Sequence, residues 1–135
     1  MSYAVMNEPI LIDTSVWIDF FNGIDSENVK VFTDYLERDL PIYICPIIIQ
    51  EILQGIKSDK QYNLVKDYLF ALIVLNDDAI EAALGAVKIY RELRAKGITI
   101  RKSNDCLIAY YAMKYSLKIL HKDRDFDNIF KHYIS

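Results

Sequence analysis

Glycine and proline are scarce in this chain, four and three residues of 135, which excludes collagen-like and low-complexity architectures. Cysteine is rarer still. Only Cys45 and Cys106 occur, each inside an apolar run, so neither a disulfide framework nor a Cys/His zinc set is available and a reducing, cytoplasmic setting is expected. A secretory leader is not expected either, because the opening "MSYAVMNEP" has no basic stretch followed by a long apolar one. The apolar runs, such as "FALIVL", fall far short of the roughly 18 residues that span a bilayer. Positive charge is also short: 16 Lys and Arg against 19 Asp and Glu give a net charge of -3. Binding of nucleic acid by bulk electrostatics is thereby excluded, and any such role needs a local basic patch.

What is present is apolar and aromatic: 53% hydrophobic residues, 13% aromatics including ten Tyr, and 26% charged residues. That composition folds, and the length fits one domain with one core. The expectation is a single unit over 1–135, with 1–8 as an extended N-terminal segment and no internal repeat or linker.

Short β-branched runs recur between segments of helical period. "PILID" (9–13), "PIYIC" (41–45), "ALIVLN" (71–76) and "LKILH" (117–121) read as strands buried on both faces, and "HYI" near the C-terminus as a further short strand. Such runs predict an α/β fold, a three-layer α/β/α sandwich around a parallel sheet of four to five strands. Between them, "SENVKVFTDYLERDL" carries Val29, Phe32, Leu36 and Leu40 on one helical stripe behind a Ser26 cap. "IIIQEILQGIK" follows Pro46, which suits a first helical position. "SDKQYNLVKDYLF" and "DDAIEAALGAVKIYRELRAKG" read as two more helices, the second ending at Gly97. "SNDCLIAYYAMKYS", with Ser103 as its expected cap, is apolar almost all round and so reads as a central buried helix.

The carboxylates in this framework have different prospects. In "LIDTSVWIDF", Asp13 closes a buried strand, where α/β sheets bind ligands, and it is equally a helix N-cap. Asp19 falls opposite the expected core face of Val16, Trp17, Phe20 and Phe21 and reads as a solvated helix charge. Glu51 sits at the boundary of a helix whose core stripe is Ile48, Ile49, Ile52, Leu53 and Ile56. Gly55, one turn on, is expected to clear space beside it. Asp105 opens the buried helix, where a favourable dipole interaction is the ordinary explanation. Asp123, Asp125 and Asp127 follow the last clear strand as a polar loop and cap, with Asp123 nearest the strand end.

A parallel sheet could bring Asp13, Glu51, Asp105 and Asp123 to one edge. Four carboxylates there would raise one another's pKa values unless a cation neutralised them. Oxygen-only ligands select a hard ion, Mg²⁺ or Mn²⁺, and carboxylate-held ions of that kind serve phosphoester hydrolysis. "RELRAKGITIRKSND" supplies Arg94, Lys96, Arg101 and Lys102 as candidate contacts to substrate phosphates, or else a solvated helix end. Tyr110 and Tyr111 read as core. His121 admits two readings, a polar residue at a strand end or a metal or phosphate neighbour beside Asp123.

At these residues the sequence resembles the PIN-domain family, and within it the VapC-type toxins of bacterial and archaeal toxin-antitoxin modules. "LIDTSVWIDF" is similar to the family's first acidic motif, "QEILQG" to the second, "SNDCLIAYYA" to the third and "LHKDRDFDNI" to its closing strand and loop. The resemblance implies a Mg²⁺ or Mn²⁺-dependent ribonuclease whose metal ligands and catalytic acids are Asp13, Glu51, Asp105 and Asp123. It also implies auxiliary roles for Thr14 and Asp125; His121 stands where family sequences commonly have Thr or Ser. A homodimer and a VapB-like antitoxin partner are further implied, with tRNA, rRNA or mRNA as substrate. The alternatives are a solitary PIN-type RNA-processing nuclease and a Mg²⁺-dependent phosphotransfer or receiver-like domain. Against a dehalogenase-like phosphatase, Ser15 occupies the place of the second Asp of a D-x-D motif.

Overall fold

Four of the short apolar runs pair in parallel as β1 (Ile10–Ile12), β2 (Ile42–Ile44), β3 (Ile73–Val74) and β4 (Lys118–Leu120), in the order β3-β2-β1-β4. The computed structural model describes residues 7–133; most of the expected N-terminal extension and Ile134 of "HYI" lie outside them. Ile10 pairs with Ile42 on one side and Lys118 on the other. Central β1 is fully buried, whereas Ile73 on edge strand β3 is 45% exposed. Burial on both faces thus holds for the middle of the sheet and fails at β3, where no fifth strand covers the edge among the described residues.

The connections are helical: α1 (Thr14–Phe21) and α2 (Glu27–Glu37) link β1 to β2, and α3 (Pro46–Gln54) and α4 (Asp59–Phe70) link β2 to β3. The chain then reverses across the sheet through α5 (Ala79–Ala95) and α6 (Ser103–Lys114) to β4, and ends in α7 (Arg124–His132). Right-handed crossovers moving in opposite directions place α1 to α4 on one face and α5 to α7 on the other. The packing largely agrees, with α1 against α2 and α3, and α5, α6 and α7 against one another, while α3 also reaches α6, where Asn104 bonds Glu51. The reversal makes the carboxyl ends of β1 and β4 the switch point, where a crevice opens between the layers.

One core unites the layers. Trp17 stands edge-on to Phe32 with ring centroids 4.5 Å apart, and its indole N–H donates to the Ile12 carbonyl at 3.1 Å. On the other face, Gly85 is where α5 meets α6: a Cβ there would fall 2.2 Å from Tyr110 Cδ1. Tyr111 is buried, in keeping with a core role. Gly97 ends α5 with φ of +79°, its N–H bonding the Arg94 carbonyl and that of Ile98 the Leu93 carbonyl, the paired bonds of a Schellman cap. The chain is thereby turned toward Arg101 and α6. Among the described residues no helix is long and apolar enough to cross a membrane.

Several local expectations are corrected. Ser103 is the first residue of α6 and not its cap; Lys102 holds the cap position with no side-chain bond to the helix. His132 ends α7 and Tyr133 is its C-cap, so these residues of "HYI" form no strand; Phe126 and Ile129 bury the helix that reaches them. In α2 the buried residues are Val31, Phe32 and Tyr35, a rotation that moves Val29 and Leu36 to the flank of the core. Gly55 is the C-cap of α3, where an added Cβ would meet only the Ile52 carbonyl at 3.7 Å; it clears no space for Glu51. In α1 Phe21 is 43% exposed, and Asp19, far from solvated, is 15% exposed at its side chain and paired with Lys122 at 2.7 Å. The helical wheel of α1 could not include the β4–α7 loop that lies over it.

Candidate active site

Asp13 follows β1 directly and caps α1: its Oδ2 accepts from the Ser15 backbone N–H at 3.2 Å and the Ser15 hydroxyl at 2.5 Å. Its backbone N–H continues the sheet by donating to the Leu120 carbonyl of β4 at 2.9 Å. Strand end and helix cap are therefore one and the same position. Asp123 repeats the device three residues beyond β4, where its Oδ1 accepts from the Asp125 N–H at 2.9 Å at the start of α7. An extended N-cap residue must leave the strand direction at that point, which aims both carboxylates into the crevice between the layers.

Asp105 reaches the same place from the first turn of α6 and is only 5% exposed. Oxygens of Asp105, Asp123 and Asp125 lie within 4.8 Å of one another. Asp13 and Asp123 line one cavity of about 410 Å³ with Ser15, Arg101, Lys102, Lys122 and Arg124. Glu51 is tied to this group from α3 and is not one of the three converging acids: its Oε1 accepts from the Thr14 hydroxyl at 2.8 Å and its Oε2 from the Asn104 amide at 3.5 Å.

The acids do not share one electrostatic fate. Burial first, then the charges of Asp13 and Asp123, pushes the Asp105 carboxyl up to about 7, and its Oδ2 is buried without a hydrogen-bond partner. Burial also works against ionised Asp123, but the Asp125 N–H and the charges of Arg101 and Lys102 outweigh it and hold that carboxyl below its ordinary value. Asp125 is 3% exposed, and its Oδ2 accepts from the backbone N–H of Arg101 at 3.2 Å and from its guanidinium Nε at 3.4 Å. His121 holds the loop: Nδ1 accepts from the Asp123 N–H at 3.2 Å, Nε2 is 3.4 Å from Asp127, and its carbonyl accepts from Asn28 at 3.0 Å. A buried carboxylate oxygen with no donor, surrounded by further carboxylates, is a poor arrangement for protein alone and a good one for a hard divalent cation.

Of the basic residues picked out in sequence, Arg101 and Lys102 line the cavity. Arg94 instead lies over the Tyr90 ring at 5.7 Å, and Lys96 donates to the carbonyl of His132, at the far end of the helix that Asp123 caps. Sequence reasoning missed Ser15, Asn104 and Lys122. Ser15 had a signal, since a Ser two residues after a capping Asp is placed to bond it. Asn104 and Lys122 had none, because their partners stand 53 and 103 residues away.

A family model for the PIN domain matches residues 10–131. The chain belongs to the PIN-domain family. Among its relatives, Ribonuclease VapC11 of Mycobacterium tuberculosis is 40% identical over 122 residues, 89% of this chain and 90% of that protein. VapC ribonuclease Mb1587 of Mycobacterium bovis matches to the same extent. This PIN domain also superposes on the solved VapBC2 of Rickettsia felis bound to a promoter DNA fragment, with TM-score 0.70 and 20% identity over 90% of this chain and 92% of that one. DNA-bound VapBC from Salmonella typhimurium gives TM-score 0.68 and 24% identity, covering 92% and 93% of the two chains. At these identities the superpositions establish the fold. Family membership removes the receiver-like and dehalogenase-like alternatives.

Proposed function

We propose that this PIN domain is a Mg²⁺ or Mn²⁺-dependent endoribonuclease, the toxin of a VapBC-type module, acting in the cytoplasm. The observation that carries the reading is Asp105, buried, facing Asp13 and Asp123, and holding a carboxylate oxygen with no partner. The 40% identity to proteins named as VapC ribonucleases supports the reaction and the RNA substrate. The solved VapBC assemblies support an antitoxin partner, and a groove of about 730 Å³ lined by Phe20, Phe21, Leu36, Leu64, Val65 and Tyr68 among others leaves apolar surface for one. Exposed Ile80, Leu84 and Val87 along α5 suit a homodimer.

Asp13, Asp105, Asp123 and Glu51 would hold the cation, joined by Asp125, whose oxygen falls in one 4.8 Å group with those of Asp105 and Asp123. A divalent cation there supplies a water of lowered pKa and a counter-charge for the phosphate. The remaining work belongs to the chain. Ser15 fixes the rotamer of Asp13, and Thr14 and Asn104 orient the two oxygens of Glu51. His121 sets the backbone of Asp123. Arg101 and Lys102 at the cavity wall offer charge to RNA phosphates, whereas Arg94 over Tyr90 and Lys96 on the His132 carbonyl stand apart from the cavity.

The test is Mg²⁺- or Mn²⁺-dependent cleavage of RNA by the purified protein, together with growth on expression. Asp13→Asn and Asp105→Asn should each abolish cleavage and relieve growth arrest while the circular dichroism spectrum is unchanged. Undiminished cleavage by chelator-treated protein would remove the cation from the reading, and cleavage without growth arrest would favour a solitary RNA-processing nuclease.

A further inference from the structure

Arg101 grips the same acids that converge in the crevice. Its Nη2 is 3.1 Å from Asp123 Oδ1 and its Nε 3.4 Å from Asp125 Oδ2, while its backbone N–H also bonds Asp125 Oδ2 at 3.2 Å. Lys102, the next residue, stays 4.0 Å from Asp123, and Lys122 across the cavity is bound to Asp19 at 2.7 Å. We propose that the Arg101 guanidinium is a tethered counter-ion, which occupies Asp123 and Asp125 in the cation-free protein and is displaced from them when a divalent cation binds; this rests on the reading of the acids as a metal site.

The geometry gives three reasons. A guanidinium is a flat fork that bonds in its own plane, and here its two donors reach two acids while Asp105 Oδ2 is left without a partner. A small divalent ion, bound from several directions at once, can take one oxygen from each of Asp105, Asp123 and Asp125. The two cations therefore compete for Asp123 and Asp125, and only one of them also satisfies Asp105. The Arg101 side chain is 63% exposed, so it can swing into solvent without disturbing the core. Its backbone stays anchored, because Ile100 is buried at 3% and the Arg101 N–H remains on Asp125. A displaced guanidinium is then held at the mouth of the cavity, where a phosphate of the RNA would arrive.

Competition of this kind has a reciprocal signature. Removing the guanidinium should weaken the cation-free protein and tighten the cation. With Mn²⁺ as the probe, isothermal titration of Arg101→Gln should give an affinity on the order of tenfold tighter than the unmodified chain, and Arg101→Lys, which keeps charge but loses the fork, a smaller gain. Lys122→Gln removes a charge from the same cavity without freeing Asp123 or Asp125, and should change the affinity by less than about twofold. In thermal melts, Arg101→Gln should lie below the unmodified chain without Mn²⁺ and draw level with it or pass it at saturating Mn²⁺. Equal affinity in the unmodified chain and Arg101→Gln would overturn the proposal and leave the metal site standing. An equal gain in Arg101→Gln and Lys122→Gln would also overturn it, since the general field of the cavity would then suffice. A melting gap that persists at saturating Mn²⁺ would reduce Arg101 to a structural ion pair. Absence of Mn²⁺ binding in every variant would overturn both this proposal and the metal reading beneath it.

Discussion

Two carboxylates near the carboxyl edge of the sheet, Asp77 beyond β3 and Asp105 at the head of α6, both turn their side chains from water: that of Asp77 is 4% exposed though the residue as a whole is half-buried, and Asp105 is buried entire at 5%. Asp77 has its cation built in. Lys114 of α6 stands 2.7 Å away and the Tyr115 hydroxyl bonds its other oxygen, and these contacts, Lys114 first, hold the carboxyl below its ordinary range. No lysine or hydroxyl bonds the buried oxygen of Asp105, and burial with its acidic neighbours outweighs the charge of Lys102 and pushes it the other way. Asp105 is the more deeply buried of the two, and the supply of a counter-charge separates them further. An acid whose partner is covalently part of the fold ties α6 to the start of α5; an acid left without one marks a candidate cation site.

That contrast can be broken first through cleavage of RNA. Asp105→Asn should lower the Mg²⁺-dependent rate by at least about 100-fold, and Asp77→Asn should leave it within roughly threefold; comparable losses in a gel assay would show that the two acids do not differ in role. Next comes stability of the chelator-treated protein at pH 8, where the signs should oppose. Asp77→Asn should lower the melting temperature by about 4 °C, having removed the nearer of the two carboxylates that pair with Lys114, while Asp105→Asn should raise it by removing an uncompensated charge. The pH profile sharpens the same point. A carboxyl whose folded value is raised from 3.8 to about 7 favours the folded state while it is protonated, so its contribution is lost as pH rises from 3.8 through about 7. Calorimetry should show the cation-free chain losing stability across that window, Asp105→Asn losing less, and Mn²⁺ restoring the loss. Asp77, with a lowered value, contributes above the ordinary carboxylate value and loses its contribution only below it. The smallest effect is expected at Asp19→Asn, which frees Lys122 without touching the acids: RNA cleavage should stay within about threefold, and a loss approaching that of Asp105→Asn would bring Lys122 into the machinery.

Much of this arrangement was legible because it is local. The run at Ile10–Ile12 and its fully buried strand follow from short-range apolarity, and Pro46 and Ser26 mark helix starts where the structure has them. Asp13 was legible as either cap or ligand-edge residue, and the two readings turned out to be compatible. What could not be read depends on elements meeting across the fold. The 4.8 Å group of Asp105, Asp123 and Asp125 requires knowing that α7 turns back under Arg101, so the spacing of "DRDFD" could not rank Asp125 beside Asp123. Asp19 was misread for the same reason, since its partner Lys122 lies 103 residues on. Ser103 reads as a cap by its own chemistry, but α6 starts one residue earlier than a capping side chain requires, with Lys102 at the cap position and no side-chain bond to the helix.

The service of Asp13 as strand end and helix cap at once, and of Asp123 as a helix cap three residues past β4, has a kinetic and entropic consequence. A side chain free to rotate must be immobilised when its ligand arrives, and each such loss of rotamer freedom weakens binding. Here hydrogen bonds from Ser15 and from the start of α7 restrict those rotations during folding. The incoming ligand meets carboxylates already aimed, and the helices that follow β1 and β4 act as jigs holding them in position between turnovers.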